Sequence, residues 1–89
     1  MPNKMIVIAM VGSPSEFPVT YHANNEVSGK SVAYDDLATY VVGLASTNKV
    51  TDIKIIGNSI YTEDVVDQIQ EINKLQYGIN NLEIEVISQ

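Results

Sequence analysis

Two loops that combine glycine with hydroxyl side chains are the segments of this sequence best suited to bind a small anion. One loop follows an apolar run near the start of the chain, and the other follows an Ile-rich run and opens a helical pattern. Ligands of open α/β sheets bind beyond the carboxyl ends of strands, and helix N-termini favour anions. The loops would converge if their strands were neighbours. Their candidate residues are Gly12, Ser13, Ser15, Gly57, Asn58, Ser59 and Thr62.

Neither loop carries the glycine spacing or the lysine of a Walker-type phosphate loop. The first loop also leads into a strand instead of a helix. The sequence therefore favours two ordinary turns, with Thr62 as the N-cap of the second helix.

The sequence gives little support for hydrolytic catalysis or for a zinc site. The one histidine, His22, would need Ser13, Ser15 or Ser31 as a nucleophile, and no nucleophile-elbow sequence is present. A single histidine and no cysteine exclude the usual zinc sites. We therefore predict a non-enzymatic protein without a cofactor or a metal.

Two acidic clusters could in principle hold Mg²⁺, which prefers carboxylate oxygens. They are Asp35-Asp36 and Glu63-Asp64 with Asp67. Both lie in the first turn of an expected helix, where acidic side chains stabilise the helix dipole. The sequence favours that structural role for both.

The balance of acidic and basic residues indicates which kinds of partner the protein could bind. Five Lys and no Arg face eleven Asp and Glu, which gives a net charge of −6 over 89 residues. Nucleic-acid binding relies on Lys and Arg to displace phosphate counterions, so direct nucleic-acid binding is not expected. A basic protein partner is favoured. No apolar run has the length of a membrane span or the pattern of a secretory signal, and we expect a cytoplasmic protein.

The chain predicts one small, soluble, acidic domain over residues 1–89, in the order β-β-(β)-α-β-α-β. Lys4 to Val11 is a continuous apolar run typical of a central strand buried on both faces, and Phe17 to Ala23 alternates like its hairpin partner. Glu26 to Ser31 is a loop or a short edge strand. The remaining elements are a helix from Tyr34 to Lys49, a strand from Asp52 to Gly57, a helix from Thr62 to Gly78 and an edge strand from Leu82 to Ile87.

This order predicts an α/β fold, with α+β as the alternative, built on a mixed sheet of four to five strands. Strands joined through helices pair in parallel, and strands joined by a short turn pair antiparallel. The order, a hairpin or meander followed by α-β-α-β, resembles the core of ribonuclease H-like and actin-like domains. The resemblance implies a carboxylate on the first strand or an Asp-x-Gly there, whereas Met5 to Val11 has no acid and the stretch that corresponds to Asp-x-Gly reads Met10-Val11-Gly12. A ferredoxin-like or flavodoxin-like arrangement is an open alternative.

Both helices are expected on one face of the sheet, which leaves the other face uncovered unless residues 13–31 fold over it. Large exposed apolar patches usually mark interaction sites, so we predict a homodimer or a protein partner there. The candidate contact residues are Val7, Ala9, Val11, Ile56 and Ile87. Five tyrosines could anchor such an interface or cover the edge of a small core: Tyr21, Tyr34, Tyr40, Tyr61 and Tyr77.

Two functions follow as hypotheses. The first is a small binding or regulatory protein that acts by protein–protein contacts, such as a bacterial or phage accessory protein. The second is a minimal or degenerate nucleotide- or phosphate-binding domain that uses the two glycine loops.

Overall fold

A computed structural model of the chain describes residues 4–11, 15–57 and 60–88. Five strands form one mixed sheet, and two helices pack against it, as the sequence predicted. The strands are β1 (Lys4–Ala9), β2 (Glu16–Ala23), β3 (Glu26–Ala33), β4 (Asp52–Ile56) and β5 (Glu83–Ile87). The helices are α1 (Leu37–Asn48), preceded by a 3₁₀ turn at Tyr34–Asp36, and α2 (Ile60–Ile72), extended by a π-helical turn at Asn73–Tyr77.

The strand order is β3-β2-β1-β4-β5, so the first strand is central, as expected. β1, β2 and β3 form an antiparallel meander, whereas β4 pairs parallel with β1 and β5 pairs parallel with β4. The helical connections account for the parallel pairs and the short connections for the antiparallel ones. The stretch expected to be a loop or a short edge strand is an eight-residue edge strand, β3.

Alternation along the strands separates two faces. On the helix side, Ile6 and Ile8 of β1 meet Ile53 and Ile55 of β4, and all are buried, as is Val19 of β2. The apolar faces of α1 and α2 close this core, with Val41 and Ile69 fully buried. Lys4 and Lys30 also point to this side, because the Lys4 Nζ donates to the Asn48 carbonyl at the end of α1 and Lys30 lies over the Tyr40 ring.

The other face has no helix over it within the described residues. The alternative in which residues 13–31 cover it is wrong for residues 16–31, because they form β2 and β3 within the sheet. The expectation that β1 is buried on both faces is also wrong. Val7 and Ala9 stay half-exposed, since only their strand neighbours shield them.

The start of α2 differs from the prediction. The helix begins at Ile60, so Thr62 lies inside its first turn and is not the N-cap. Thr62 is buried at 1% exposure, which places its side chain against the sheet. The end of the helix agrees with the prediction, since Gly78 takes the left-handed conformation at φ 66° and donates its N–H to the Asn73 carbonyl.

The π-helical turn changes which side chains face the core. Val65 and Ile69 are buried as the helical stripe predicts, but Leu75 is 69% exposed. A π turn takes more residues than an α turn, so the stripe loses its phase after Ile72. The Asn73 side chain holds the exit of the helix, accepting from the Ile79 N–H at 2.7 Å and donating to the Ile79 carbonyl at 3.1 Å.

No helix in the described part of the chain is long and apolar enough to cross a membrane.

Candidate functional site

The uncovered side of the sheet, hereafter the open face, is the largest candidate site. Residues reach it by the two-residue period of the strands, so each strand contributes alternate positions. An apolar row crosses three strands at their carboxyl ends, because Ala9 of β1, Ile56 of β4 and Ile87 of β5 lie side by side in the register. Val7 and Met5 continue this apolar stripe along β1.

The predicted interface residues therefore meet on this face, with one exception. Val7, Ala9 and Ile56 are half-buried and Ile87 is 36% exposed. Val11 is 56% exposed but follows the end of β1, so no strand pair fixes its place on the face. Whether these residues bind a partner stays a prediction.

Sequence reasoning missed Val27, a large apolar side chain on this face. Val27 lies on β3 opposite His22 and is 63% exposed. The sequence did not assign Val27 to a strand face because Glu26 to Ser31 lacks an alternation of apolar and polar residues. The turn at Asn24-Asn25 was the available signal, since a two-residue turn after a strand predicts a returning strand of similar length.

The polar part of the open face is mainly acidic on one side. Lys54 on β4 lies opposite Glu85 on β5. Asp52, two residues before Lys54, lies opposite Glu83. The Lys54 Nζ is 3.9 Å from the Glu85 carboxylate, with side chains 40% and 65% exposed. An ion pair this exposed contributes little to stability. Three acids against one Lys give this half of the face a negative potential.

His22 lies on the other half, where its Nε2 is 3.0 Å from the Thr20 hydroxyl. Ser31 lies opposite Pro18, which is four residues from His22 along β2. At the usual rise per residue of a strand, Pro18 is about 13 Å from His22. Ser15 precedes β2 and is farther along the same direction. The structure therefore brings neither Ser15 nor Ser31 to His22, and Ser13 lies outside the described residues.

The glycine loops are described only in part. Gly12, Ser13, Asn58 and Ser59 lie outside the described residues, and Ser15 is exposed. Their two strands are neighbours, as convergence of the loops requires.

Gly57 and Thr62 do come together at the carboxyl edge of β1 and β4. A Cβ on Gly57 would lie 3.0 Å from the Thr62 Oγ1 and 2.6 Å from the Met10 carbonyl oxygen. The Thr62 Oγ1 is buried and has no hydrogen-bond partner among the described residues.

Three aromatic rings gather at the same edge of the sheet. The Tyr34 ring lies edge-on to Phe17 at 6.4 Å and to Tyr61 at 5.7 Å between centroids. Burial raises the pKa of the Tyr34 hydroxyl above its usual value, and the nearby Asp64 carboxylate raises it further, while a hydrogen bond with Gln68 acts in the opposite direction. This cluster connects α2 to the start of α1, and Tyr34 packs against the core, whereas Tyr61 stays 55% exposed.

The acidic clusters do not assemble into a metal site. Within residues 4–11, 15–57 and 60–88, no group of three or more His, Asp or Glu side chains could hold an ion. Asp35 and Asp36 lie in the 3₁₀ turn before α1, and Glu63 lies in the first turn of α2.

The chain matches no protein-family model, and a comparison with curated proteins gives no significant match.

Proposed function

We propose that this protein is a non-enzymatic binding or regulatory protein that acts through protein–protein contacts made by its open face. The observation that carries the proposal is the apolar row of Ala9, Ile56 and Ile87, which crosses three adjacent strands on the side of the sheet that neither α1 nor α2 covers. Contiguous apolar surface on a folded domain usually marks an interaction site.

The charges around this row indicate the kind of partner. The half of the face formed by β4 and β5 carries Asp52, Glu83 and Glu85 against Lys54, in a chain of net charge −6. Complementary potentials raise association rates and suppress wrong partners. We therefore propose a partner protein whose contact surface combines an apolar strip with basic side chains beside it, in the cytoplasm of a bacterium or of a phage-infected cell.

The experiment places a photo-crosslinking amino acid at Ile87 on the open face and, in a control protein, at Leu75. Leu75 is exposed on the π-helical turn and lies outside the open face. A protein that crosslinks only from Ile87 is then purified and titrated calorimetrically against the unmodified chain.

Two variants and a salt series decide the outcome. Ile56→Glu combined with Ile87→Glu should weaken binding at least tenfold, and Leu75→Glu should leave binding unchanged. Higher salt should weaken binding by screening the acidic side chains of β4 and β5. The proposal fails if no protein crosslinks selectively from Ile87, or if the purified protein binds the double variant as tightly as the wild type.

The second candidate is a minimal or degenerate nucleotide- or phosphate-binding domain that uses the loops after β1 and β4. The observation that favours it is the buried Thr62 hydroxyl without a partner among the described residues, beside Gly57 at the carboxyl edge. Titration with nucleotides and Mg²⁺ tests this candidate. A titration that shows no binding heat and no thermal shift would remove this candidate.

We also propose that the chain is a divergent relative of ribonuclease H-like and actin-like domains. The meander followed by α-β-α-β supports this proposal. The first strand, Lys-Met-Ile-Val-Ile-Ala, has no carboxylate, so such a relationship would imply loss of the catalytic and nucleotide sites.

A further inference from the structure

The edge strand β3 is poorly protected against pairing with another strand. It runs from Glu26 to Ala33 and pairs one-to-one with β2 along its whole length, without a bulge. It contains no proline, and its residues 26–31 are exposed. Edge strands are usually kept from pairing by charged side chains, prolines, bulges or short length. Of these devices β3 has only two charges of opposite sign, Glu26 and Lys30, which a second copy of the strand can pair. The opposite edge strand, β5, is only five residues long and carries Glu83 and Glu85.

The phase of the hairpin fixes which backbone groups of β3 point outward. A two-residue turn at Asn24-Asn25 joins Ala23 and Glu26, which are paired in the register. The residues that flank such a turn exchange both of their hydrogen bonds. From Glu26 onward, the even-numbered residues therefore bond to β2. The N–H and carbonyl groups of Val27, Gly29 and Ser31 point to the free edge.

The side chains of this edge match a second copy of the same strand. In an antiparallel pair of two β3 strands centred on Ser28, Val27 lies opposite Gly29 of the second copy, and Glu26 lies opposite its Lys30. The two-fold symmetry repeats each contact. Directly opposite side chains on one face have Cβ atoms about 4.5–5.5 Å apart, which suits an ion pair.

The same register also fits sterically. Val27 is 63% exposed, and Gly29 of the second copy presents no side chain against it. Lys30 and Glu26 both lie on the helix side of the sheet, where Lys30 is 5.2 Å from the centroid of the Tyr40 ring. A Glu carboxylate from the second copy would approach Lys30 there.

We infer that the protein forms a two-fold dimer in which two β3 strands pair antiparallel, centred on Ser28, and join the two sheets into one of ten strands. The dimer uses outward backbone groups and two Glu26–Lys30 pairs. It covers Val27 at the β3 edge of the open face but leaves Ala9, Ile56 and Ile87 free, so it stands or falls independently of the partner proposed above.

Sedimentation velocity of the full chain, up to millimolar concentration at physiological salt, tests the dimer. Glu26→Lys and Lys30→Glu should each raise the dimer dissociation constant about tenfold or more, because each variant places like charges opposite each other twice. The double charge swap should restore it to within about threefold, since the pairs re-form with reversed polarity. Lys30→Glu also removes the contact with Tyr40, but that contact is absent in the rescued double variant too.

Matched controls separate the pairing from net charge. Glu71→Lys on α2 changes the net charge as Glu26→Lys does, and Lys74→Glu matches Lys30→Glu. Both controls should leave the dissociation constant unchanged. The inference is overturned by a wild type that stays monomeric, by failure of the double swap to rescue, or by controls that weaken the dimer as strongly as the β3 variants. Circular dichroism identifies any variant that is not folded, and the oppositely charged single variant then provides the test.

Discussion

Replacing Gly57 with alanine should be one of the most damaging single-methyl changes in this protein. Gly57 has φ +156°, which side chains rarely adopt. An added Cβ would lie 2.6 Å from the Met10 carbonyl oxygen and 3.0 Å from the Thr62 Oγ1. The backbone cannot easily move away, because the Gly57 N–H donates to the Ile87 carbonyl at 2.9 Å and the Met10 N–H donates to the Ile56 carbonyl at 2.7 Å.

The expected magnitude combines two costs. A side chain in a sparsely populated backbone region costs about 1–3 kcal/mol. Forcing a methyl group into a packed site costs about 1–3 kcal/mol more. A combined loss of about 3 kcal/mol in the free energy of unfolding would lower the melting temperature by about 12–24 °C for a domain of this size.

Two other glycines provide matched controls. Gly78 has φ +66° but nothing within 4 Å of an added Cβ, so Gly78→Ala should cost only about 1–2 kcal/mol from the left-handed backbone. Gly43 lies inside α1, where an added Cβ would meet only the Tyr77 hydroxyl at 3.4 Å. Gly43→Ala should therefore stabilise the protein by up to about 1 kcal/mol.

Urea unfolding of the three variants checks the order Gly43→Ala above wild type, then Gly78→Ala, then Gly57→Ala. The reasoning is refuted if Gly57→Ala is no less stable than Gly78→Ala. That result would mean that the end of β4 can move away from Met10 at little cost.

Three further predictions concern side chains. Leu75→Gln should change the free energy of unfolding by less than about 0.5 kcal/mol, whereas Ile69→Ala should lower it by about 2–5 kcal/mol. Equal losses in urea titrations would contradict the conclusion that the π turn moves Leu75 out of the core. Glu85→Gln should change stability by less than about 1 kcal/mol because its ion pair is exposed, and a larger loss in the same assay would contradict that role. The raised Tyr34 pKa favours the neutral hydroxyl in the folded state, so its stabilisation is complete below pH 10.0 and is lost as the pH rises through the folded value. Wild type should therefore lose more stability than Tyr34→Phe between neutral pH and pH above 10.0, and parallel curves would refute this linkage.

Strong local patterns explain what could be predicted of the fold. The apolar run at Met5 to Val11 and the alternation of Leu82, Ile84 and Val86 identify strands because side chains on a strand alternate between faces. The pairing directions follow from the lengths of the connections. β3 could not be recognised with the same certainty, because its stability as a strand comes from pairing with β2 and not from its own exposed, polar sequence.

Some features of the candidate sites could likewise be predicted from the sequence, and others could not. Ala9, Ile56 and Ile87 could be assigned to one surface because their strand phases are readable from the sequence. The burial of Thr62 could not, since it depends on α2 beginning two residues before the expected cap. The exposure of Leu75 depends on a π turn, for which the sequence offers no simple pattern.

Thr62 also provides a test of the second proposed function, anion binding by the two glycine loops. Its hydroxyl is buried and has no hydrogen-bond partner among the described residues. A buried hydroxyl that is left unpaired costs about 1–3 kcal/mol relative to an apolar group. Thr62→Val keeps nearly the same shape and should therefore raise the free energy of unfolding by about 1 kcal/mol. Thr62→Ser keeps the hydroxyl but removes a buried methyl group, so it should lower stability by about 1 kcal/mol.

Thermal unfolding of both variants, with and without phosphate or a nucleotide with Mg²⁺, separates a packing role from a binding role. Natural proteins retain costly polar groups where function needs them. If the Thr62 hydroxyl binds the anion, the anion should raise the melting temperature of the wild type but not that of Thr62→Val. A stabilised Thr62→Val variant, together with no anion effect on the wild type, would remove the loop site as a candidate. A Thr62→Val variant less stable than wild type would contradict the account of the unpartnered hydroxyl, since it would mean that the hydroxyl contributes a favourable hydrogen bond to the fold.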